Sequence, residues 1–363
     1  MADTPPQRGK LKIFLGYAAG VGKTYQMLTE AQELKLEGVD VVIGYFEPHG
    51  RAETIAQTTG LEFIPRKVFE HRGARFEDMD TDAVIARHPK VAAVDEFAHT
   101  NVPGAERPKR WQDVMAILDA GIDVITSLNI QHIESLNDQV WHVTGVRVRE
   151  TVPDWVVQEA HEVVMVDVTP RALLHRLERG VVYAPDKALK ALENFFTESN
   201  LTALRELALR QTAHQLEERR EELRLPQPVS ALGSKRGEAI LIWITPHPST
   251  AMLIRRGRRV ADYLNSSCTA LIVSRDDAMS DLSAEDRTAI DRHINFCRNM
   301  RIQSEVIQGP DPPKAVAEWA REHGITQIFV TRDAPDARKL VQLARDMQVT
   351  IVAERVRHGV VLG

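Results

Sequence analysis

Short apolar segments that alternate with longer helical segments constrain the fold of this chain more than any other feature of its sequence. Residues 11–15 form the first apolar segment, and a glycine-rich turn and a helical pattern over residues 23–37 follow it. Further segments of strand length are 39–46, 91–94, 124–128 and 163–168. Strands joined through helices imply right-handed crossovers and a mostly parallel sheet that is covered on both faces. The sequence therefore predicts an α/β fold for its first half.

The pattern changes after residue 168 and later begins again. Residues 170–179 and 187–222 are predicted to be helical, and prolines and glycines then mark a linker at 223–237. The second series of predicted strands is 239–245, 270–273, 303–307, 327–331 and 349–353, with helices such as 250–264 and 313–323 between them. We expect a first domain over 10–222, with a helical extension at 170–222, and a smaller flavodoxin-like α/β domain over 238–356.

The composition argues against several classes of protein. A net charge of −5 does not provide the broad basic face that nucleic-acid binding requires. Cys268 and Cys297 are too few for a disulfide framework, and residues 1–10 lack the apolar core of a signal peptide. No uncharged apolar run reaches the roughly 18 residues that a membrane-spanning helix requires. We therefore expect a cytoplasmic chain that binds no nucleic acid and is not inserted into a membrane.

The turn between the first strand and the first helix has the composition of a Walker A phosphate-binding loop. Small residues expose backbone N–H groups to phosphate oxygens, Lys23 would reach the β- and γ-phosphates, and the Thr24 hydroxyl would bind Mg²⁺. Tyr17 departs from the usual pattern, because it stands where a glycine is expected six residues before the lysine. The residues predicted to bind ATP in this loop are Gly16, Ala19, Gly20, Val21, Gly22, Lys23, Thr24 and Tyr25.

An acidic pair ends the apolar strand at residues 91–94. Asp95 would support the Mg²⁺ ion, and Glu96 could polarise a nucleophile, so that Glu96 and Lys23 are the candidate catalytic residues. Taken alone, the pair is equally compatible with a helix cap at the end of a strand, and the loop alone with a chance glycine-rich turn. The two features together, in this order along the chain, predict ATP and Mg²⁺ as ligands, with Thr24 and Asp95 as the metal ligands.

Other polar residues follow the ends of the predicted strands, where ligands of parallel sheets bind. His99 and Asn129 are the further candidates for nucleotide contacts. Any one of these residues is also compatible with a simple loop or cap role, but together they indicate a polar rim around the γ-phosphate. The members of this rim are Glu47, His49, Gly50, Arg51, His99, Thr100, Asn101, Asn129, Gln131 and His132. Arg107, Lys109 and Arg110 could act as arginine-finger groups or form a solvated basic patch.

Several of these blocks together resemble a known family. The blocks at 16–24, 47–51, 94–101, 108–113, 129–138 and 145–154 read GYAAGVGKT, EPHGR, VDEFAHTN, PKRWQD, NIQHIESLND and GVRVRETVPD. They are similar to the N-terminal cytoplasmic region of the KdpD family of potassium sensor kinases, over residues 10 to 220. The resemblance implies a protein partner in potassium homeostasis, namely a sensor kinase, its response regulator or the potassium pump.

The second domain resembles the universal-stress-protein domain that follows in that family. No glycine occurs between Gly324 and Gly359, so a backbone cradle for phosphate is not expected there. The resemblance implies that a basic cluster could bind an anion such as a cyclic dinucleotide, although an exposed basic helix face is the simpler interpretation. The cluster comprises Arg255, Arg256, Gly257, Arg258 and Arg259.

Three functions remain open from the sequence. The first is a regulatory sensor that ATP and Mg²⁺ switch between conformations, and the second is a phosphoryl-transfer enzyme, either a slow ATPase or an atypical serine kinase. The third is a structural adaptor with permanently bound nucleotide. The chain contains no membrane spans, phosphoacceptor helix or ATP-lid motif, so histidine autokinase activity is not expected of it.

Overall fold

The computed structural model describes residues 7–180, 182, 195–223, 238–264, 266–274, 282–332, 334 and 336–352. These residues divide into two compact units, with the division at Glu221 and Glu222. None of the helices in these ranges combines the length and the apolar character needed to cross a membrane. Of the predicted linker at 223–237, residue 223 is the last residue of a helix, and residues 224–237 lie outside the described residues.

The first unit is built on a six-stranded parallel sheet with a separate antiparallel hairpin. Its strands are β1 (Leu11–Gly16), β2 (Val41–Tyr45), β3 (Glu62–Phe63), β4 (Lys67–His71), β5 (Ala74–Asp78), β6 (Val91–Val94), β7 (Asp123–Asn129) and β8 (Glu162–Val166). The order in the sheet is β3-β2-β6-β7-β1-β8. The five predicted strands are confirmed with small shifts at their ends, whereas β3 and the hairpin β4–β5 were not predicted.

Helices cover this sheet. They are α1 (Lys23–Leu36), α2 (Ala52–Ala56), α3 (Thr81–Arg87), α4 (Arg110–Asp119), α5 (Asn137–Thr144), α6 (Asp154–Gln158), α7 (Pro170–Glu178) and α8 (Glu198–Leu223). Leu201, Leu204 and Ala208 of α8 are buried in the core of this unit. The prediction of one helix from residue 187 is wrong at 195–197, which are not helical, and 187–194 lie outside the described residues.

The second unit is a five-stranded parallel sheet with helices on both faces. Its strands are β9 (Ala239–Ile244), β10 (Ser267–Ser274), β11 (Gln303–Gln308), β12 (Gln327–Thr331) and β13 (Gln348–Val352), and its helices are α9 (Thr250–Tyr263), α10 (Ala284–Asn299), α11 (Pro312–Glu322) and α12 (Ala337–Leu343). Along β9, Ile240 and Ile242 pack into one core and Leu241 and Trp243 into another, because successive side chains point to opposite faces. The predicted smaller α/β domain is confirmed.

The strand order of this unit is β11-β10-β9-β12-β13, or 3-2-1-4-5 in chain order. This order differs from the 2-1-3-4-5 order of flavodoxin and matches the first five strands of a dinucleotide-binding sheet. The number and spacing of strands are visible in a sequence, but their order depends on which crossovers pack on which face.

The order of strands in the first unit determines which loops meet at its carboxyl edge. Gly16, the last residue of β1, pairs with Asn129 of β7, and Val94 of β6 pairs with Thr126 of β7. The glycine-rich loop and the acidic pair therefore lie on either side of the end of β7. The polar residues that follow all three strands share one edge of the sheet, as ligand sites of parallel sheets require.

Candidate functional site

The glycines of the loop at 16–24 are needed for its geometry. A Cβ atom added to Gly16 would lie 2.5 Å from Cγ2 of Val21 and 2.8 Å from Cδ of Lys23, so a side chain cannot be accommodated there. Gly20 and Gly22 have φ angles of 87° and 109°, in the left-handed region that favours glycine. Gly22 caps α1 without a side-chain hydrogen bond, which leaves the first N–H groups of the helix available to an anion.

Tyr17 occupies the position where a glycine was expected, and the structure explains why it is accommodated. Its side chain is fully buried, and its hydroxyl donates to the backbone oxygen of Val168 at 3.0 Å. Burial raises the pKa of this hydroxyl to about 12, so it remains a donor. Tyr17 therefore anchors the start of the loop to the segment between β8 and α7.

Lys23 is buried at the base of the loop, with 8% of its surface exposed. Its Nζ donates to the backbone oxygen of Ala18 at 3.2 Å. Burial is the main cause that lowers the pKa of Lys23 to about 8, the charge of Arg51 lowers it further, and Glu96 and Asp95 oppose the shift. A buried lysine with a lowered pKa is a cation that a bound anion would stabilise.

Asp95 lies beside the loop and is completely buried. Its Oδ1 accepts hydrogen bonds from the Thr24 hydroxyl at 3.1 Å and from the Ser127 hydroxyl at 2.5 Å. Its Oδ2 has no hydrogen-bond partner among the described residues, although a buried polar atom normally has one. Burial, followed by the neighbouring charge of Glu96, raises the pKa of Asp95. The hydroxyl of Thr24 and the carboxylate of Asp95 form the kind of small oxygen donor set that Mg²⁺ accepts.

Glu96 adopts a φ of 57°, which is uncommon for a residue other than glycine. Its Oε1 lies 3.2 Å from Nε2 of His49. This hydrogen bond is the main cause that lowers the pKa of Glu96 to about 2, and it raises the pKa of His49. Glu96 is therefore ionised at neutral pH.

The residues that follow β7 form the opposite side of the site. Oδ1 of Asn129 and Oε1 of Gln131 are buried and have no hydrogen-bond partner among the described residues. Nδ1 of His132 lies 2.8 Å from the backbone oxygen of Glu150. Burial lowers the pKa of His132, so the neutral ring donates from Nδ1 and presents Nε2 as an acceptor.

These groups surround a cavity of about 210 Å³. Its lining includes Lys23, Thr24, His49, Arg51, Glu96, Asn129, Gln131 and His132. A larger cleft of about 580 Å³ shares Gly20, Thr24 and Arg51 with it and extends past Tyr25 towards Asp167 and Arg176. The Nη1 atom of Arg176 donates to the backbone oxygens of Gly20 and Val21 at 3.2 and 3.3 Å. The two volumes therefore adjoin each other at the phosphate-binding loop.

The structure places two groups of predicted residues outside this cavity. His99 does not line it and instead lies 3.7 Å from Asp78 and 3.9 Å from Glu150. Lys109 donates to Thr100, and Arg107 is 3.5 Å from Asp113.

Arg110 is fully buried, hydrogen-bonds Asp78, and donates to the backbone oxygen of Asp95 at 3.1 Å. Its guanidinium lies 3.6 Å from the centre of the Tyr45 ring. Arg110 is therefore neither an arginine finger nor part of a solvated patch, because its charge is neutralised inside the protein. Its hydrogen bond to the backbone oxygen of Asp95 holds the end of β6 in position.

Sequence reasoning missed Ser127 and Asp78. Ser127 is one residue beyond the pairing partner of Val94, so a correct strand order would have placed its hydroxyl beside Asp95. Burial opposes ionisation of Asp78, but hydrogen bonds and the charge of Arg110 dominate and hold its pKa well below the usual range. No local pattern in the sequence indicates this partnership.

The second unit has a cavity of its own, of about 720 Å³. It lies at the end of β9, and its polar lining includes His247, Arg255, Glu285, Asp286, Arg292 and His293. Only Arg255 of the predicted basic cluster lines it. Arg258 is paired with Asp262 at 2.6 Å, and Gly257 packs against Ile242. Arg255 and Arg258 of the cluster therefore lie in different surroundings.

The sequence of the chain matches a known protein family over more than half of its length. Residues 7–216 match the KdpD family, described as the osmosensitive K⁺ channel His kinase sensor domain. The chain belongs to the KdpD family. A putative sensor protein KdpD from Synechocystis is 46% identical over 334 residues, which cover 91% of this chain and 87% of that protein. The sensor protein KdpD of Escherichia coli K12 is 41% identical over 356 residues, or 96% of this chain and 40% of the other.

This KdpD-family chain thus spans most of one relative and less than half of the other. Among solved structures, a universal stress protein from Burkholderia pseudomallei matches 33% of this chain and 98% of its own length, with 18% identity and a TM-score of 0.26. A TM-score this low does not establish a shared fold, so the fold of the second unit is described from its own strand order.

Proposed function

We propose that the first unit binds ATP with Mg²⁺ and acts in the cytoplasm as a nucleotide-dependent regulatory sensor of the potassium response of its family. One observation carries the proposal: a single cavity collects Lys23, Thr24 and Glu96 beside buried oxygen atoms of Asn129 and Gln131 that lack partners among the described residues. Unpartnered buried polar atoms are costly unless a ligand satisfies them.

Each residue has a defined role in this proposal. The backbone N–H groups of the loop and of the start of α1 would hold phosphate oxygens, and Lys23 would neutralise the β- and γ-phosphates. Thr24 and Asp95 would hold Mg²⁺, because the hydroxyl is directed at Asp95 and one carboxylate oxygen remains unpartnered among the described residues. When bound, Mg²⁺ neutralises charge on the phosphate oxygens.

Titration calorimetry with ATP and Mg²⁺ tests the binding site. Lys23→Ala removes a charged hydrogen-bond donor, so we expect the affinity to fall about 10- to 100-fold. Lys35→Ala is the matched control, because Lys35 lies at the opposite end of the same helix, and it should leave the affinity unchanged. Equal affinity in the wild type and Lys23→Ala would refute the proposed site.

A phosphoryl-transfer enzyme is the alternative, and the position of Glu96 in the cavity favours it. A carboxylate with a pKa of about 2 is a weak proton acceptor, so Glu96 would orient a water or serine hydroxyl more effectively than it would deprotonate one. A loose transition state needs mainly positioning and charge, which this arrangement provides.

A single-turnover experiment with γ-labelled ATP and Mg²⁺ separates the two functions. Phosphate released to water or transferred to a partner in the wild type, and lost in Glu96→Gln with ATP binding intact, would establish an enzyme. Tight binding of ATP without phosphate transfer over hours would favour the regulatory sensor over the enzyme. The partners to include are a sensor kinase, a response regulator and a potassium pump, which we propose from family membership.

The second unit is proposed to bind an anion, such as a cyclic dinucleotide, in the cavity at the end of β9. Arg255 and Arg292 in its lining support this proposal, although Glu285 and Asp286 oppose it. Calorimetry with wild type and Arg292→Gln measures the binding. No saturable binding by wild type would refute it.

A further inference from the structure

Arg51 lines the candidate site and has no partner charge among the described residues. It ends a turn in which His49 and Gly50 both have positive φ angles, of 46° and 70°. Within the described part of the chain, no carboxylate lies within ion-pairing distance of Arg51. Its Nη2 donates only a long hydrogen bond, of 3.4 Å, to the backbone oxygen of Val182, and its Nε is buried without a partner.

The position of Arg51 is also distinctive, because it lines both the 210 Å³ cavity and the 580 Å³ cleft. Its hydrogen bond to Val182 brings it across the loop near Gly20. Gly20 lies so close to Val182 that an added Cβ atom would be only 2.5 Å from the Val182 side chain. The guanidinium therefore extends over the tip of the phosphate loop from the turn after β2.

The lining of the smaller cavity places Arg51 beside a second cation. Lys23 and Arg51 both line the 210 Å³ cavity, together with His49, whose Nε2 lies 3.2 Å from Oε1 of Glu96. Two cations held together in a largely buried place repel each other, and this repulsion is relieved when an anion lies between them. Arg51 and Lys23 thus approach the same volume from two sides of the loop.

We propose that Arg51 binds the terminal phosphate of ATP and thereby gives the site a preference for ATP over ADP. This inference rests on the proposed ATP site and goes beyond it, because it assigns the residue that distinguishes the two nucleotides. The loop N–H groups would hold the β-phosphate, which both nucleotides carry, and Lys23 would contact the β-phosphate as well as the γ-phosphate. The guanidinium of Arg51 shares the cavity with Glu96 and His49, where the γ-phosphate that only ATP carries would lie. Its planar arrangement of N–H donors matches the oxygens of a phosphate group.

Arg176 provides a comparison with Arg51 within the same protein. It donates to the backbone oxygens of Gly20 and Val21, so it supports the part of the loop that both nucleotides would contact. Loss of Arg176 should weaken ATP and ADP equally, whereas loss of Arg51 should weaken ATP alone.

The test is calorimetric measurement of the affinities for ATP and ADP with Mg²⁺, using a non-hydrolysable ATP analogue if turnover occurs. In Arg51→Gln we expect the affinity for ATP to fall about 10- to 100-fold and that for ADP to change less than about threefold. Arg51→Lys keeps the charge without the fork and should retain part of the preference. Arg75→Gln, on the exposed face of β5, should behave as wild type.

Two results would overturn the inference: an equal loss of ATP and ADP affinity in Arg51→Gln, or no loss of either. Circular dichroism and thermal unfolding establish that each variant is folded. If the wild type itself binds neither nucleotide, the proposed site fails and this inference falls with it. If the wild type binds ATP and the ratio is unchanged in Arg51→Gln, only the role of Arg51 is wrong.

Discussion

The lowered pKa of Lys23 predicts that nucleotide binding takes up protons. In the free protein Lys23 has a pKa of about 8, because it is buried and lies near Arg51. Phosphate oxygens favour the charged ammonium, so binding should return the pKa to its ordinary value near about 10.4 or above it. At pH 8 about half of the free protein carries an uncharged Lys23, and each bound nucleotide should take up about half a proton.

The direction of the pH dependence follows from these two values. Binding is strongest below pH 8, where Lys23 is already charged, and weakens as the pH rises through 8. Proton uptake should be about 0.1 at pH 7, 0.5 at pH 8 and 0.9 at pH 9, and the affinity should fall about tenfold between pH 7 and pH 9. The ionisation of phosphate, with a second pKa near about 6, is nearly complete over this range.

The assay is titration calorimetry at pH 8 in two buffers with different ionisation enthalpies. The difference between the two observed enthalpies gives the number of protons taken up. Lys23→Arg is the control, because a guanidinium stays charged and should show no uptake from this residue. Intact binding with identical enthalpies in both buffers would refute the reasoning, since it would mean that binding does not change the protonation of Lys23.

Three further predictions concern the framework of the site. Gly16→Ala should displace the Lys23 side chain, weakening ATP binding at least tenfold in calorimetry and lowering the free energy of unfolding by about 1–3 kcal/mol. Tyr17→Phe should lower the free energy of unfolding by about 0.5–1.5 kcal/mol in urea titrations, and unchanged stability would mean that its hydroxyl bond contributes nothing. Arg110→Leu should cost about 3–5 kcal/mol because it leaves Asp78 charged and buried, and the additional change Asp78→Leu should recover part of this loss.

The sequence predicted those parts of the fold whose signal is local. Except for β3, which has only two residues, the strands of both parallel sheets were recognised as short segments between helical ones. The loop was recognised because its glycines precede Lys23 and Thr24 directly. The hairpin of β4 and β5 was not recognised, because its residues are mostly exposed and lack an apolar alternation. Its one local signal is the pair Arg72 and Gly73, which form the turn with positive φ angles.

The parts of the site that depend on packing could not be predicted. Arg110 stands in a run of basic residues, which suggests solvent exposure, yet it is buried because Asp78 and the Tyr45 ring meet it there. His99 follows the acidic pair by three residues, but the chain turns and directs it towards Glu150. Both outcomes are set by residues distant in sequence, about which a local pattern carries no information.

The position of β7 between β1 and β6 has a mechanical consequence. Two spacings between neighbouring strands, or about 10 Å, separate β1 from β6. A ligand held by Lys23 on one side and by Asp95 on the other would therefore join the ends of strands that do not touch each other. Such a ligand would link the ends of the three strands and slow the local opening of β1, β6 and β7 together. Hydrogen exchange of the backbone amides should then slow in all three strands when the ligand is bound, and not only in the loop.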